Sequence, residues 1–380
     1  MVRNLIFKDY CIQEVLEKVS GGTCLVCFGA GRYLERLCEK YASYDLAGKI
    51  TILVDNDAAK WGKNRELLGH RLCIHSLHDA IALAQEKSVL FMITIVDFRG
   101  IWEQLYVIPE LDHSGVVVPA FMEEREMFWK QDHGWFEFDI HHDKRYAIPK
   151  VIHYCWFGRK PIPERNRIWM ESWRRLCPDF EIKEWNETNY DVRKISYMAE
   201  AYDAGKWGFV SDYARLDIIF QYGGFYLDTD VELLKSLDDL TEQQAFFGFE
   251  TLEYVNLGLG FGAVSHHPLI QEMRDDYCGK HFLQKDGSLN LLPSPAYWTS
   301  VLQRHGLQLD GRFQQLECAN VYPKTAFCPQ SYELHCILDS EDTISIHHFD
   351  ASWQNENERM NHMKRMELFE KCRANCAVIS

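Results

Sequence analysis

Gly208-Phe-Val-Ser-Asp-Tyr-Ala-Arg-Leu-Asp-Ile-Ile-Phe-Gln-Tyr-Gly-Gly-Phe-Tyr-Leu-Asp-Thr-Asp-Val-Glu-Leu-Leu234 has the pattern of a helix, a glycine turn and an acidic strand. Ser211 is the predicted N-cap of the helix, and Gly223-Gly224 supplies the left-handed backbone that ends it. Phe225-Tyr226-Leu227 is a short β-prone run that leads into Asp228-Thr229-Asp230. The helix is therefore expected directly before an acidic strand end.

Four charged side chains are placed to meet at this strand end. Asp212 and Arg215 are three residues apart and share one helical face, while Asp228 and Asp230 are two apart and point to one side of an extended backbone. Such paired carboxylates suit a hard divalent cation that keeps open positions for phosphate oxygens. A solvated acidic turn is the alternative for an isolated Asp-x-Asp, but the preceding apolar strand and helical Asp/Arg pair favour a cation site.

These motifs resemble a known family. Ser211-Asp212-Tyr213-Ala214-Arg215, Tyr222-Gly223-Gly224 and Tyr226-Leu227-Asp228-Thr229-Asp230 are similar to the core of the DXD-containing sugar transferases of glycosyltransferase family 32. The resemblance covers residues 148–353 and extends to the capsular-polysaccharide transferases of that family. It implies a GT-A-type domain that transfers a sugar, with retention of anomeric configuration, from a nucleotide diphosphate sugar. A UDP-sugar is the favoured donor, and the expected acceptor is a glycan of a surface or capsular polysaccharide.

The resemblance also implies a set of site residues. Asp228, Asp230 and His348 are expected to hold Mn²⁺ or Mg²⁺, with His347 as the alternate histidine, and Asp212 and Arg215 are expected to act with them in catalysis. The residues implied to bind the nucleotide sugar are Trp156, which stacks on the base, Asp212, Arg215, Asn256, which contacts a sugar hydroxyl, and Ser352 and Trp353, which close over the nucleotide.

Several of these residues have structural alternatives. Composition alone favours core packing for Trp156 and structural roles for His347 and His348. Asn256 precedes Gly258, Gly260 and Gly262 in an expected strand, whose alternating glycines indicate either a ligand lying against the backbone or a close crossing of two strands.

The first third of the chain shows an α/β alternation of its own. A strand at residues 23–28 leads into Gly29-Ala30-Gly31, a helix to about Tyr41, and a strand at 49–54 that ends in Asp55-Asn56-Asp57. This is the order of a Rossmann-like unit, although the third glycine of the dinucleotide fingerprint is missing. We therefore expect this domain to present a surface for a partner or small ligand, with dinucleotide binding as the minority alternative.

The predicted fold class is α/β, with a small Rossmann-like parallel-sheet domain before a GT-A-type nucleotide-sugar-binding domain. The expected boundaries are residues 1–115 for the first domain, 116–147 for a linker that contains a helix, and 148–380 for the second domain. The length of 380 residues and the 47% hydrophobic content support more than one core.

Composition excludes some partners and indicates a compartment. The net charge of −15 argues against nucleic-acid binding and against general attraction to anionic lipid. Residues 159–175 form the densest cationic region, for which a solvated helix face is the commoner explanation. The 13 cysteines have no framework spacing, and the sequence shows neither a secretory signal nor an apolar run long enough for a transmembrane segment. We expect a cytoplasmic protein, with peripheral association at the inner face of the membrane as an extension.

Two rival functions are considered. A hydrolase would use Asp228 and Asp230 as acid and base, but carboxylates this close do not fit the wide inverting geometry. The second rival is a catalytically degenerate protein that binds sugar nucleotides or docks partners. The intact charged motifs favour an enzyme.

Overall fold

The computed structural model describes residues 5–8, 10–95, 98–123, 145–252, 254–330, 341–350, 360 and 364. Residues 5–123 belong to one compact unit and residues 145–350 to another, and each unit is described by itself. Most of the expected linker helix at residues 123–130 lies outside the described residues. None of the helices in the described part of the chain is both long enough and apolar enough to span a bilayer.

The first unit is built on one seven-stranded sheet. Its strands are β1 (Ile6–Phe7), β2 (Cys24–Phe28), β3 (Ile50–Val54), β4 (Asn64–Leu67), β5 (His70–His75), β6 (Val89–Ile93) and β7 (Gly115–Val117). They lie in the order β1-β7-β6-β2-β3-β5-β4, and all neighbours are parallel except β4 and β5. The direction of the strand order reverses between β2 and β6, which is where open α/β sheets form a crevice.

Helices cover this sheet. They are α1 (Ile12–Ser20), α2 (Arg32–Lys40), α3 (Leu46–Lys49), α4 (Leu77–Glu86) and α5 (Arg99–Tyr106). The central strands β2 and β6 are buried at every position, as expected for parallel strands that are covered on both faces.

Two local features of the first unit differ from the sequence-based expectation. The apolar pattern of the first 17 residues predicts one amphipathic helix, but β1 occupies Ile6–Phe7 and α1 begins at Ile12, where the Cys11 backbone N–H donates to Glu14 Oε2 at 2.9 Å. Strands β4 and β5 form a hairpin around Leu68 and Gly69, with φ of 48° and 87°. Positive φ at both loop residues is typical of a type I′ turn, and a leucine at the first position makes its sequence signal weak.

The second unit contains another seven-stranded sheet and a separate two-stranded ribbon. Its strands are β8 (Val151–Cys155), β9 (Glu181–Trp185), β10 (Gly224–Tyr226), β11 (Val231–Leu233), β12 (Ala245–Gly248), β13 (Phe261–Ala263), β14 (Gln314–Gln315), β15 (Asn320–Tyr322) and β16 (Ser345–His347). The large sheet has the mixed order β14-β15-β12-β13-β10-β8-β9, and β11 pairs with β16 in the antiparallel ribbon.

Helices pack on both faces of this sheet. They are α6 (Glu164–Leu176), α7 (Ser196–Asp203), α8 (Trp207–Tyr222), α9 (Pro268–Asp275), α10 (Ser294–Arg304) and α11 (Lys324–Phe327). The neighbouring residues Phe225 and Tyr226 lie in two different core clusters, one with Trp173 of α6 and one with Val210 of α8. Alternating side chains of one strand therefore anchor both layers.

The structure corrects two expected elements near the acidic strand end. Helix α8 begins at Trp207, and Ser211 lies inside it, where its Oγ donates to the Trp207 carbonyl at 3.3 Å instead of capping the N-terminus. The expected strand at residues 255–263 is a 3₁₀ turn at Leu257–Leu259 followed by β13. The helix end at Gly223, with φ of 66°, is as expected. Together the two sheets confirm an α/β chain in which a parallel sheet precedes a second, mixed α/β unit.

Candidate active site

Helix α6 fixes the turn that carries the two acidic residues. Asp228-Thr229-Asp230 lies between β10 and β11, and the Thr229 hydroxyl accepts from Asn166 Nδ2 at 3.2 Å. The Trp173 indole N–H donates to the Val231 carbonyl at 2.8 Å. Thr229 is turned towards α6, and the two flanking carboxylates point to the other side. The backbone here is not extended as expected: the Val231 N–H donates to the Asp228 carbonyl at 3.1 Å, which closes a β-turn.

Strand β16 brings a histidine to the carboxylates. The register pairs Val231 with His347, and His347 Nε2 lies 3.3 Å from Asp230 Oδ1. One ligand atom each from Asp228, Asp230 and His347 lies within 4.8 Å of the other two, and in the described residues these three side chains form the group suited to a metal ion.

The neighbouring His348 turns away from this group. Its Nε2 lies 2.9 Å from Glu232 Oε2, and its ring stacks on Trp169 with a centroid distance of 4.3 Å. Successive side chains of a strand point to opposite sides, so only one of two adjacent histidines can face the carboxylates. His348 was expected to face the two carboxylates, with His347 as the alternate. In the structure His347 faces them, and His348 contacts Glu232 and Trp169 instead.

Asp228 is held by two donors and by a close glycine. Arg215 Nη1 donates to its Oδ2 at 3.3 Å, and the Tyr226 hydroxyl donates to its Oδ1 at 3.0 Å. A Cβ on Gly258 would lie 2.5 Å from Asp228 Oδ2, so only glycine leaves room for the carboxylate here. Gly262 has another cause, since its Cβ would meet the Phe246 ring of the adjacent strand at 2.6 Å. The close approach of two strands thus accounts for Gly262, Gly258 makes room for a carboxylate, and a ligand lying against this backbone stays a prediction.

Arg215 joins the helix to the acidic turn. It is 4% exposed, its Nη2 lies 3.4 Å from Asp212 Oδ1, and its guanidinium carbon lies 4.9 Å from the Tyr226 ring centre and 5.5 Å from that of Trp298. Burial alone would lower the pKa of Arg215, but the charges of Asp228, Tyr226 and Asp212 outweigh burial, so the pKa is raised above that of a free arginine. It is a permanent positive charge between two carboxylates.

The three candidate ligands influence one another strongly. Burial raises the pKa of Asp228; Arg215 opposes this effect and the charge of Asp230 adds to it. Burial acts in the same direction on Asp230, but the charge and hydrogen bond of His347 outweigh it and lower the pKa of Asp230. Burial acts to lower the pKa of His347, and Asp230 outweighs that effect and raises it. Without a bound cation, His347 therefore supplies part of the positive charge that the carboxylates require.

Asp212 has a further partner that the sequence reasoning missed. Burial raises the pKa of Asp212 to about 6, while Arg215 and a hydrogen bond from the Ser294 side chain act against this rise. Ser294 is the first residue of α10. The available signal was the Leu292-Pro-Ser-Pro segment, which resembles the family's segment near the donor sugar but has serine in place of the usual glycine.

The other residues that were expected to bind the donor are Trp156, Asn256, Ser352 and Trp353, and the structure describes two of them. Trp156 follows β8, packs partly buried on the α6 side of the sheet, and donates its indole N–H to the Lys160 carbonyl at 2.5 Å. The Asn256 amide accepts from the Gly258 N–H at 2.8 Å and donates to Glu250 at 2.8 Å, so it holds the turn that lies against Asp228. Ser352 and Trp353 lie outside the described residues. The roles of all four in donor binding stay predictions.

His153 has a structural role. The Trp185 indole N–H donates to its Nδ1 at 3.0 Å, and its Nε2 lies 3.0 Å from the Gly223 carbonyl, so Nε2 carries the proton. Burial lowers the pKa of His153 to about 4. This neutral imidazole ties β8 and β9 to the end of α8.

The donor set of the acidic turn fits a divalent cation. Two carboxylate oxygens and an imidazole nitrogen are accepted by Mn²⁺, whereas Mg²⁺ prefers a shell of oxygens and water. Such a set leaves coordination positions open for a substrate. Asp228, Asp230 and His347 are thus a group of side chains that could hold a metal ion.

Comparisons with known proteins locate a related segment in the chain. Residues 163–247 match the family model described as "Glycosyltransferase sugar-binding region containing DXD motif". This segment includes Asp212, Arg215, Asp228 and Asp230. The resemblance to DXD-containing glycosyltransferases that the motifs indicated is therefore confirmed over this part of the chain.

Individual relatives match shorter parts of their own length. The chain is 30% identical over 149 residues to inositol phosphoceramide mannosyltransferase 3 of Schizosaccharomyces pombe, which covers 37% of this chain and 40% of the relative. It is 30% identical over 105 residues to the human alpha-1,4-N-acetylglucosaminyltransferase, which covers 27% of this chain and 26% of the relative. The chain thus spans less than half the length of these curated relatives. Among solved structures, the PaToxG glycosyltransferase has 18% sequence identity and a TM-score of 0.34, over 49% of this chain and 79% of the other.

Proposed function

We propose that the second unit is a metal-dependent glycosyltransferase. It moves a sugar from a nucleotide diphosphate sugar, with a UDP-sugar favoured, to a hydroxyl of a glycan acceptor. The observation that carries the proposal is the meeting of Asp228, Asp230 and His347 beside the Asp212–Arg215 pair, with both aspartates of the turn and the Asp/Arg pair inside the segment that matches the DXD family model.

The cation belongs to the proposal. Asp228, Asp230 and His347 would hold Mn²⁺ or Mg²⁺, and the bound ion supplies positive charge for the departing diphosphate.

The chain's own contacts prepare the carboxylates for this role. Arg215 and the Tyr226 hydroxyl fix both oxygens of Asp228, and the Asp350 backbone N–H donates to Asp230 Oδ2 at 2.9 Å. Asp230 Oδ1 is left facing His347. Side chains that are already oriented in the free protein need little reorganisation when the substrate binds, which favours transfer.

The remaining roles rest on the family resemblance. Asp212 and Arg215 fix the donor sugar and the ribose region, and Trp156 stacks on the base through its ring face. Asn256 acts through the Gly258 turn or by direct contact with a sugar hydroxyl, and Ser352 with Trp353 closes over the nucleotide. Retention of configuration, by attack of the acceptor on the face from which the diphosphate leaves, is the expected stereochemistry.

The acceptor is proposed as a growing surface or capsular polysaccharide. The named relatives are a mannosyltransferase and an N-acetylglucosaminyltransferase, so sugars of both kinds belong among the donors to be tested. Pocket contacts that distinguish such sugars differ by only a few hydrogen bonds, and each is worth about 1 kcal/mol.

The deciding experiment incubates the full chain with uridine and guanosine diphosphate sugars, with Mn²⁺ or a chelator, and measures released nucleotide. We expect release from one donor that depends on the cation and falls by at least about 1000-fold in Asp230→Asn. Asp57→Asn in the first unit is the matched control, with expected full activity. Nuclear magnetic resonance of the product then gives its anomeric configuration.

Two results would contradict the proposal in different ways. Tight donor binding without nucleotide release would favour a catalytically degenerate binding protein. Full activity of Asp230→Asn, or activity that ignores the chelator, would remove the metal assignment.

A further inference from the structure

The end of β16 and the residues after it contact Asp230 at three of its atoms. His347 Nε2 lies 3.3 Å from Asp230 Oδ1, and the His348 backbone N–H donates to the Asp230 carbonyl at 2.9 Å. The Asp350 backbone N–H donates to Asp230 Oδ2, also at 2.9 Å. A backbone N–H that donates to a carboxylate makes a charge-assisted hydrogen bond and fixes the oxygen that accepts it. The orientation of Asp230 therefore depends on where residues 347–350 lie.

The chain reaches Asp230 through an unfavourable backbone conformation. With a φ of 51°, Phe349 lies in the left-handed region, which is uncommon for a bulky side chain and persists only where surrounding contacts hold it. On one side, the Phe349 ring packs edge-on against His347 with a centroid distance of 4.4 Å. On the other side, the contact that holds the backbone in place belongs to Asp350.

The Asp350 side chain is buried and forms an ion pair with helix α6. Its carboxylate is 2% exposed and contacts the guanidinium of Arg165, which is 54% exposed. A carboxylate that is removed from water is costly unless it is paired, and removal of its cation leaves an uncompensated buried charge. Without Arg165, the Asp350 side chain is therefore expected to move towards water and to take its backbone N–H away from Asp230.

The neighbouring residues of α6 support the same region. Asn166 contacts the acidic turn, Trp173 donates to β11, and Trp169 stacks on the residue after β16. Arg165 extends this support beyond the end of β16, to Asp350. One helix thus holds both the turn that carries Asp230 and the segment that contacts it from the other side.

We propose that Arg165 is a positioning residue for Asp230 and that it acts through Asp350. The ion pair holds the Asp350 side chain, the backbone N–H of the same residue fixes Asp230 Oδ2, and Oδ1 stays directed at His347. For the transfer reaction the inference rests on the function proposed above, in which Asp230 holds the cation. Arg167 is the matched comparison, because it is 57% exposed on the same helix but lies 3.8 Å from Glu164 of that helix.

The first test is hydrogen exchange in the metal-free full chain. We expect the amides of residues 347–350 to exchange at least about tenfold faster in Arg165→Ala, because this segment loses the ion pair that holds it. Arg167→Ala is expected to exchange like the parent. Unchanged exchange of residues 347–350 in Arg165→Ala would overturn the proposal.

The second test is titration of the same variants with Mn²⁺. Arg165→Ala is expected to bind Mn²⁺ about tenfold to 100-fold more weakly, as is typical when the support of a metal ligand is lost. Arg165→Lys keeps the charge and is expected to recover most of the affinity, and Arg167→Ala is expected to match the parent. Equal losses in Arg165→Ala and Arg167→Ala would contradict a positioning role.

A charge exchange separates positioning from general destabilisation. Arg165→Glu places two negative charges together, whereas Arg165→Glu/Asp350→Lys restores a pair of opposite charges, so the double variant is expected to bind Mn²⁺ more tightly than Arg165→Glu. A merely structural role of Arg165 would lower the melting temperature without this dependence on residue 350. Equal Mn²⁺ affinity of the two variants would overturn the proposal.

Failure of the transferase proposal gives a different pattern of results. If the parent binds no Mn²⁺ or releases no nucleotide, the function proposed above fails, and exchange in the metal-free chain still decides whether Arg165 holds Asp350 against Asp230. If Arg165→Ala changes the exchange but binds Mn²⁺ as tightly as the parent, the ion pair does not position Asp230 and the inference is wrong.

Discussion

The chain contains the pattern Asp-x-Asp near the end of a sheet strand in each of its two units. Asp55-Asn56-Asp57 follows β3 of the first unit, and Asp228-Thr229-Asp230 comes soon after β10 of the second. The spacing is the same, and both strands end at the same kind of sheet edge. The surroundings of the two pairs differ completely, which shows what spacing alone does not determine.

The first pair is satisfied by its own neighbourhood. Asp55 Oδ2 accepts from Lys60 Nζ at 2.9 Å and from the Ala30 N–H at 3.1 Å, and Oδ1 accepts from the Asp57 N–H. Asp57 in turn caps the turn that begins at Ala58 by accepting from the Ala59 N–H. Burial acts to raise the pKa of Asp55, but Lys60 and the backbone donors outweigh it and lower the pKa. These two carboxylates therefore stabilise the loop that follows β3.

The second pair draws its partners from far along the chain. Asp228 meets Arg215, and Asp230 meets His347. Here two carboxylates and an imidazole face one another at ligand distances, so like charges remain close together. A cation relieves that repulsion, whereas the first pair gains nothing from one. Function at an Asp-x-Asp thus depends on which groups the fold brings to it.

The largest expected effect separates the two pairs by metal binding. Asp228→Asn and Asp230→Asn each remove a charged ligand, so the affinity for Mn²⁺ is expected to fall by at least about 1000-fold, which corresponds to a few kcal/mol. Asp55→Asn and Asp57→Asn are expected to leave that affinity unchanged. Isothermal titration of Mn²⁺ into each full-length variant measures this. An equal loss in all four variants would mean that the contrast between the pairs is not real.

A smaller effect is expected from the two adjacent histidines. His347→Ala is expected to weaken Mn²⁺ binding by about 100-fold, because it removes the nitrogen that faces Asp230. His348→Ala is expected to cost about tenfold or less, since it acts through Glu232 and Trp169 and only positions the strand. Mn²⁺ titration of both variants gives the ranking. A greater loss in His348→Ala would restore the original assignment from the sequence.

Two glycines near the acidic pairs give a third comparison: Gly258 lies against Asp228, and Gly31 follows Ala30, whose N–H donates to Asp55. In Gly258→Ala the new methyl group would displace Asp228 Oδ2, so nucleotide release is expected to slow by about tenfold to 100-fold with little change in melting temperature. A Cβ at Gly31 would meet no atom within 4 Å, so Gly31→Ala is expected to leave the rate and the melting temperature unchanged. Equal rates in the two variants would show that Gly258 does not shape the site.

The sequence allowed the local parts of the site to be predicted. Asp212 and Arg215 are related by the repeat of a helix, which is visible in any single chain. Asp228 and Asp230 were expected to share one side of a strand, and they do share one side, although a β-turn places them there. Which histidine meets the carboxylates depends on the register of β11 against β16, and this pairing spans more than 100 residues. A slip of one residue exchanges the two faces of a strand, so no local pattern fixes it.

The same limit applies to the fold. The strand, glycine turn, helix and strand of the first unit were predictable from their apolar runs and from the glycines that separate strand and helix. The contact of Ser294 with Asp212 was not, since it joins helices α8 and α10, which are far apart in the chain. Ser211 was wrongly predicted to be the N-cap for a local reason. Serine is favoured at N-caps, but inside a helix its hydroxyl can donate to the carbonyl four residues before it, as Ser211 does to Trp207.

The smallest expected effect tests whether the first pair is structural. Because the pKa of Asp55 is lowered in the folded protein, its carboxylate contributes stability above the unfolded value of about 3.9, and this contribution disappears as the pH falls through the folded pKa. Asp55→Asn is therefore expected to lower the unfolding free energy of the first unit by about 1–2 kcal/mol at pH 7, and by less as the solution is acidified towards the folded pKa.

Hydrogen exchange of the β2 and β3 amides in the full chain measures this difference, because those strands report opening of the first unit. Exchange in β10 of the second unit is the internal control and is expected to be unchanged. The structural role of Asp55 requires the difference to shrink in acid: a difference that stayed constant with pH would mean that the asparagine perturbs packing, and the charge of Asp55 would then have no part in holding Lys60 and the turn after β2.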